Sequence, residues 1–155
     1  MFGSMKHFFY FFLLVCFNLS CSKSNDQSKT ELLVNKKWKI SGMSAKLPNG
    51  IITDDYASLQ SYQKDDFYLF KPDFTFTYFD NGEMTPGSIR LEHYEGTWSL
   101  SNADTYINIT ITVQGIPSVT FVPQKIVELS TTTMRWEWTD ISTGVIYNQT
   151  YTVIP

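Results

Sequence analysis

Residues 94–113 read YEGTWSLSNADTYINITITV. From position 106 to 113 every apolar side chain falls on one face of an extended chain, which is the period-2 signal of a half-buried strand. Residues 94–100 carry a second strand signal, and the Ser, Asn, Ala and Asp at 101–104 are typical of a turn between the two. A connection this short leaves no room for a parallel crossover, which needs about a dozen residues. The stretch therefore predicts an antiparallel β-hairpin with one apolar face.

The same alternation recurs along most of the chain, and no long helical pattern separates the alternating segments. Short turns join most of these segments, so neighbouring strands are expected to be antiparallel. An up-and-down meander of about eight strands that closes into a barrel would remove exposed edges, and an open sandwich is the alternative. The predicted strands are residues 37–43, 66–70, 74–78, 94–100, 106–113, 120–129, 133–139 and 147–153, with Pro123 breaking the sixth.

A short helix is predicted ahead of the first strand. Ser28 and Glu31 stand at the spacing of a capping box, in which each side chain accepts a backbone N–H at the helix start. Apolar residues follow at once, and the pattern predicts a helix over residues 29–35. Residues 44–64 alternate less clearly and predict a long connection with room for one short hairpin. Long ordered connections in compact domains are often functional.

An apolar block ends at Cys21, and a polar run begins after it. The block follows the basic Lys6 and is about 12 residues long, too short for a bilayer-spanning helix of roughly 20 residues. Residues 18–21, Asn-Leu-Ser-Cys, resemble the lipobox of bacterial lipoproteins. The resemblance implies a signal peptide over 1–20, lipidation of Cys21, a polar tether over 21–28 and a barrel domain over 29–155. An ordinary cleaved leader that leaves Cys21 as a free thiol is the alternative.

The charge of the chain argues against a nucleic-acid partner. Of the 12 Lys and Arg residues only Lys6 precedes Cys21, and 15 Asp and Glu outnumber them. No basic stripe is present to neutralise phosphates. The expected contact is with a membrane through the lipid anchor, which places the protein in the cell envelope, at the outer membrane, on its periplasmic or surface face. Cys16 and Cys21 are the two cysteines, so the domain is expected to have no disulfide.

The polar residues form no recognisable catalytic or metal-binding pattern. His93 is the one histidine after the leader, whereas zinc takes roughly three or four nitrogen or sulfur ligands. A Gly-x-Ser-x-Gly nucleophile motif is absent, and the glycines are too isolated to form a phosphate-binding loop. The acid pairs at 54–55 and 65–66 could together supply oxygens to a hard cation, but solvated loop positions are the preferred interpretation. We therefore predict no enzyme activity, no metal and no cofactor.

Four segments resemble the lipocalin-like domains of Bacteroidetes lipoproteins. Residues 32–40 resemble that family's short helix, which runs into a strand with an early tryptophan, and residues 95–100 match its Gly-Thr-Trp strand. Residues 66–76 are similar to its strand-turn-strand, although Phe74 replaces the usual glycine, and residues 125–136 match its penultimate hairpin. The likeness implies an eight-stranded, lipocalin-like barrel with a short N-terminal helix on a lipid anchor. It does not specify a ligand.

Aromatic side chains dominate the face that the alternation turns inward. An eight-stranded barrel is either filled by its side chains or holds one small ligand. Because each ring buries on the order of 200 Å², a solid core is the alternative to a pocket. The same alternation predicts that Phe74 points inward. The candidate ligand-binding residues of the interior are Trp38, Phe76, Tyr78, Trp98, Trp136, Trp138 and Tyr151.

These expectations define two functions from different classes. The first is a non-enzymatic cell-envelope lipoprotein whose lipocalin-like barrel binds a small hydrophobic molecule. It predicts a cavity of a few hundred Å³ that opens near residues 44–64. The alternative is a lipid-anchored interaction module with a filled barrel, which would dock on another envelope protein or a glycan complex through an exposed apolar patch.

Overall fold

The computed structural model describes residues 27–79, 93–113 and 116–155 of the chain, so Cys21 and the predicted signal peptide lie outside the described residues. The helices found in these ranges are α1 (Lys29–Leu33) and α2 (Ser61–Lys64). None of the helices in the described part of the chain is long and apolar enough to cross a bilayer. The strands are β1 (Lys37–Lys46), β2 (Ile52–Asp54), β3 (Phe67–Phe70), β4 (Thr75–Phe79), β5 (His93–Ser101), β6 (Tyr106–Val113), β7 (Ile116–Thr120), β8 (Gln124–Leu129), β9 (Thr133–Thr139) and β10 (Ile146–Ile154).

Eight strands of the described residues form a closed antiparallel ring. Each strand pairs with the next in the order β1, β3, β4, β5, β6, β8, β9 and β10. The ring closes because β10 pairs with β1 along its length, from Ile154 beside Lys37 to Ile146 beside Lys46. Closure removes the free edges that an open sandwich would leave. The prediction of an all-β antiparallel barrel with a short N-terminal helix is confirmed.

The first strand is longer than predicted, because its C-terminal end pairs with a strand that the sequence analysis did not locate. The first three residues of β1 pair with β3, and its last three pair with β2. The register between β1 and β10 shifts between Ile40 and Gly42, which marks a bulge in β1. A bulge bends its strand, so the second part of β1 can leave β3 and pair with β2. The predicted long connection therefore opens with the β1–β2 hairpin and later contains α2.

The predicted sixth strand, residues 120–129, is wrong in its first part: β8 begins only at Gln124, after Pro123, and β7 ends at Thr120 and has a different position in the sheet. β7 pairs with the C-terminal half of β6, whereas β8 pairs with the first residues of β6 and continues the ring to β9. The proline lacks the N–H that an unbroken ladder would need. Within the described residues β7 has no pairing with β9. The barrel wall is therefore interrupted between residues 121–123 and the C-terminal end of β9.

Helix α1 covers one end of the barrel, which we call the closed end. The capping box forms as predicted, since the Ser28 hydroxyl accepts the Glu31 N–H and the Glu31 carboxylate accepts the Ser28 N–H at 2.7 Å. The helix ends at Leu33, earlier than predicted, and Asn35 then takes a positive φ of 59°. Leu33 is fully buried, and its carbonyl accepts the indole N–H of Trp38 at 2.9 Å. This bond fixes the helix against the first strand.

The closed half of the barrel is a solid core. Large side chains from α1 and from strands around the ring meet there, and edge-to-face ring contacts such as that of Phe70 with Trp98, at 5.6 Å between centroids, fill the space. The largest fully buried side chains are Leu33, Trp38, Phe70, Phe76, Ile107 and Met134. Close packing leaves no room for a ligand in this half.

The prediction that Phe74 points into the barrel is wrong. Phe74 lies in the turn before β4, where its φ is +64° and 52% of its surface is exposed. Glycine is the residue that most readily adopts this left-handed conformation. Phe74 therefore takes the backbone geometry that suits the glycine usual at this position in the lipocalin-like domains. Period-2 alternation holds only within an extended strand, and β4 begins at Thr75.

Candidate functional site

The half of the barrel away from α1, which we call the open half, contains two adjoining cavities. The first, the side cavity, has a volume of about 210 Å³. It lies at the interruption of the barrel wall, because residues 121 and 122, between β7 and β8, line it together with Trp138 near the end of β9. Its lining consists of Tyr68, Ile109, Phe121, Val122, Gln124, Trp136, Trp138 and Gln149.

The second, the end cavity, has a volume of about 260 Å³. Two of its lining residues, Leu59 and Gln63, belong to the connection over residues 44–64, beside which the ligand-binding hypothesis requires a cavity. Tyr68 and Gln149 line both cavities, so these two side chains form the partition between them. The end cavity is lined by Ile40, Met43, Leu59, Gln63, Asp66, Tyr68, Tyr78, Gln149 and Tyr151.

The seven interior residues named from the sequence divide between the two halves of the barrel. Those buried in the solid core, away from both cavities, are Trp38, Phe76 and Trp98. Those that line a cavity are Tyr78, Trp136, Trp138 and Tyr151. A filled barrel and a pocket, the two alternatives from the sequence, thus each describe half of the molecule.

Gln149 is the polar centre of the open half. Its Oε1 atom accepts hydrogen bonds from the indole Nε1 of Trp136 at 2.8 Å and from the hydroxyl of Tyr151 at 3.1 Å. Both donor residues are only 2% exposed, so bulk water cannot readily replace Gln149 as their hydrogen-bond acceptor. The Nε2 atom of Gln149 lies 3.9 Å from the sulfur of Met43, which is a weak acceptor. The side-chain oxygen is therefore engaged by the protein itself.

Two of the tyrosines around the end cavity, Tyr68 and Tyr151, are held in their neutral form. Burial raises the pKa of Tyr68 to about 12, with the Asp66 carboxylate adding to the rise and a hydrogen bond with Tyr151 opposing it. Burial also raises the pKa of Tyr151 well above its ordinary value, and the neighbouring Tyr68 and Tyr78 contribute. The Tyr78 hydroxyl donates to the Asp66 carboxylate. At physiological pH the phenols of Tyr68 and Tyr151 are hydrogen-bonding groups and not bases.

No metal centre is formed within residues 27–79, 93–113 and 116–155. In these ranges no three His, Cys, Asp or Glu side chains come together as ligands. The acid pairs at 54–55 and 65–66 therefore do not combine into a cation site there.

Most lining residues of the two cavities were not among the seven candidates named from the sequence, and the polar ones include Tyr68, Gln124 and Gln149. The signal for Gln149 was present, because it lies two positions before Tyr151 on β10 and so faces the same side. Tyr68 faces Tyr78 across the β3–β4 pair, and it escaped notice because the predicted second strand had no clear alternation. Gln124 directly follows the proline that interrupts the strand pattern, so the sequence carried no signal for it.

A closed antiparallel barrel with one filled half and one hollow half defines the class of small β-barrels that can enclose a ligand. The sequence matches the model of the lipocalin-like domain over residues 34–136, and the chain belongs to that family. This finding confirms the lipocalin-like part of the resemblance. A search of curated proteins found no significant match.

Proposed function

We propose that this barrel binds a small, largely apolar molecule in its open half and has no enzymatic role. The observation that carries the proposal is the side cavity, which is lined by rings and aliphatic side chains with two amides among them. A mainly apolar lining with few polar groups is the usual form of a small-molecule site. Membership of the lipocalin-like family supports the same proposal, because a barrel of this size can hold one ligand.

Tryptophan at Val122 is expected to weaken binding of the neutral aromatic probe 2-naphthol at least about tenfold. Val122 lines the side cavity and is 45% exposed, so an indole ring there can obstruct the cavity without entering the solid core. Isothermal titration calorimetry of the barrel domain, residues 29–155, measures the affinity, and circular dichroism verifies the fold of the variant.

Val127→Trp is the matched control for Val122→Trp. Val127 is 42% exposed, lies on the neighbouring strand β8 and lines neither cavity, so its replacement should leave the affinity unchanged. An equal loss of affinity in both variants, or no binding by the folded wild-type domain, would contradict the proposal.

We further propose that Cys21 carries a lipid and anchors the protein in the cell envelope, at the outer membrane, on its periplasmic or surface face. The layout of the leader supports this proposal. So does the position of α1, which begins at Lys29 on the closed end of the barrel. An anchor that joins the domain there leaves the cavities at the opposite end accessible. At least two acyl chains are needed for stable attachment of this kind.

Cys21→Ser is expected to abolish the incorporation of a labelled fatty acid when the full chain is expressed in a bacterial host. The thiol sulfur is the atom that would carry the lipid group, so the loss should be complete. Cys16→Ser is the matched control, because Cys16 lies inside the apolar block and its variant should keep the label. Equal labelling of the wild-type protein and the Cys21 variant would refute lipidation at this residue.

The alternative function, an interaction module for an envelope protein or a glycan complex, has one observation in its favour. Ile51, Ile52 and Ile141 are among the most exposed large apolar residues of the described chain, and they lie near the open end. Pro48, in the loop between β1 and β2, adjoins Gly144, in the loop between β9 and β10, so these two loops lie together. Such a patch suits a protein partner. Absence of 2-naphthol binding by the folded wild-type domain would favour this function over the first.

A further inference from the structure

The side cavity contains a hydrogen-bond acceptor that the described part of the protein does not use. Gln124 begins β8, lines the cavity and is only 8% exposed. Its Nε2 atom donates to the carbonyl of Val122 at 2.5 Å, which fixes the orientation of the amide. Its Oε1 atom is buried and has no hydrogen-bond partner within the described residues. Buried acceptors are normally paired, so we expect this oxygen to accept a hydrogen bond from a bound molecule.

The neighbouring amide does not offer the same acceptor. The oxygen of Gln149 already accepts from Trp136 and Tyr151. Gln124 is thus the residue of the side cavity whose oxygen is left for a ligand donor. A ligand that carries a hydroxyl or an N–H group would satisfy it.

The remaining lining of the side cavity decides the charge and shape of the ligand. None of its lining residues is an Asp, Glu, Lys, Arg or His, so a charged ligand would lose its hydration without gaining an opposite charge. The rings of Tyr68, Trp136 and Trp138 favour a flat aromatic or cyclic body through offset or edge-to-face contact. The volume of about 210 Å³ exceeds the roughly 150 Å³ of a cavity that holds benzene. One or two fused rings would fit.

We propose that the side cavity selects neutral, ring-containing molecules that carry a hydroxyl or N–H donor, and that Gln124 is the residue that determines this specificity by accepting the donor's hydrogen bond. The inference rests on the proposed ligand-binding function and adds the chemical class of the ligand.

Two probes of nearly equal shape test this inference on the barrel domain, residues 29–155. 2-Naphthol carries the donor, whereas 2-methylnaphthalene has a methyl group in its place. The wild-type domain is expected to bind 2-naphthol about tenfold more tightly, because 2-methylnaphthalene leaves the buried oxygen unpaired. Gln124→Met keeps the length of the side chain and removes the acceptor, so the two affinities should become equal within about twofold. 2-Naphthoate, which is ionised, should bind the wild-type domain at least about tenfold more weakly than 2-naphthol.

Gln60→Met is the matched control, because Gln60 is exposed and lines neither cavity, and this variant should keep the tenfold preference. Should Gln124→Met fail to fold, the side-chain amide resonances of Gln124 in the wild-type domain serve instead, and they should shift with 2-naphthol and not with 2-methylnaphthalene. Equal affinities for the two probes in the wild-type domain, or a preference that survives in Gln124→Met, would overturn the inference and leave the proposed function intact. If the wild-type domain binds neither probe, both fail.

Discussion

Gly96→Ala is expected to lower the free energy of unfolding by about 4 kcal/mol or more. Few single substitutions cost so much, and overpacking of a core is one of the causes. Gly96 lies in β5 between Phe76 on β4 and Ile111 on β6. A Cβ atom at this position would lie well inside van der Waals distance of the Thr110 carbonyl and of the Phe76 ring. Neither group can give way, since one belongs to the backbone of a paired strand and the other is fully buried.

Urea denaturation followed by tryptophan fluorescence measures the effect, and Gly42→Ala is the matched control. A Cβ atom on Gly42 would lie 3.5 Å from Cβ of Thr150, an ordinary contact, so its free energy of unfolding should change by no more than about 0.5 kcal/mol. A loss below about 1 kcal/mol for Gly96→Ala, or equal losses in the two variants, would show that β4, β5 and β6 can separate enough to admit a methyl group.

The same contact explains why the Gly-Thr-Trp segment begins with glycine. A glycine inside a strand often marks the close approach of another group, and here that group is the Phe76 ring. From the sequence, Gly96 was assigned to the Gly-Thr-Trp motif and was judged too isolated to bind phosphate, but it had no predicted packing role. The sequence could not identify that role, because the ring that covers Gly96 comes from a strand about twenty residues earlier, and only the β4–β5 register places the two side by side.

Strand positions could be predicted because apolar and polar residues alternate clearly wherever one face of a strand is buried and the other faces solvent. β6 and β9 are the clearest examples, and their inward sets include Ile107, Ile109, Met134 and Trp136, which are all buried. Short turns then imposed antiparallel neighbours, and the cost of free edges favoured closure. These local signals were sufficient for the class of the fold.

Two strands could not be predicted, since they carry no apolar face. β2 is exposed along its whole length, and every described side chain of β7 is exposed as well. β2 is positioned by its pairing with β1, and β7 by its pairing with β6. Such pairing depends on the tertiary structure and leaves no local pattern in the sequence. The interruption beside β7 creates the opening at the side cavity, so the feature that decides access was among the least visible in the sequence.

Several interior rings could be predicted from the alternation, although Phe74 was assigned wrongly and Tyr68 was missed. Which of the rings face empty space could not be predicted. Whether a barrel is filled depends on how side chains from all its strands meet at one level, and a single strand does not reveal this. Trp98 and Trp136 illustrate the point, since both are inward and only 2% exposed, yet only Trp136 lines a cavity. Polar residues on the inward face, such as Gln149, would have been the better guide to the hollow half.

Methionine at Gln149 is expected to lower the free energy of unfolding by about 3 kcal/mol, the second large effect. The substitution preserves the length of the side chain and removes the acceptor for the indole N–H of Trp136 and the hydroxyl of Tyr151. A buried donor left without an acceptor costs about 1 to 3 kcal/mol. The buried indole of Trp136 accounts for most of the loss, because Tyr151 keeps its hydrogen bond with Tyr68. Urea denaturation measures the loss. Asn148→Met, one position away on the opposite face of β10, is the control and should change stability by no more than about 0.5 kcal/mol.

A double-mutant cycle with Tyr151→Phe separates the lost hydrogen bonds from a change in packing. In the wild-type background, removal of the Tyr151 hydroxyl breaks its bond to Gln149 and should cost about 1 kcal/mol. In the Gln149→Met background the same removal should cost less, because the hydroxyl has already lost that acceptor. Equal costs in the two backgrounds would show that Tyr151 does not depend on Gln149. A total loss below about 1 kcal/mol for Gln149→Met would mean that water enters the end cavity and takes over the role of the amide oxygen, because a cavity of this size with polar lining groups can hold ordered water. The open half would then be wet in the absence of a ligand, and binding would have to displace that water.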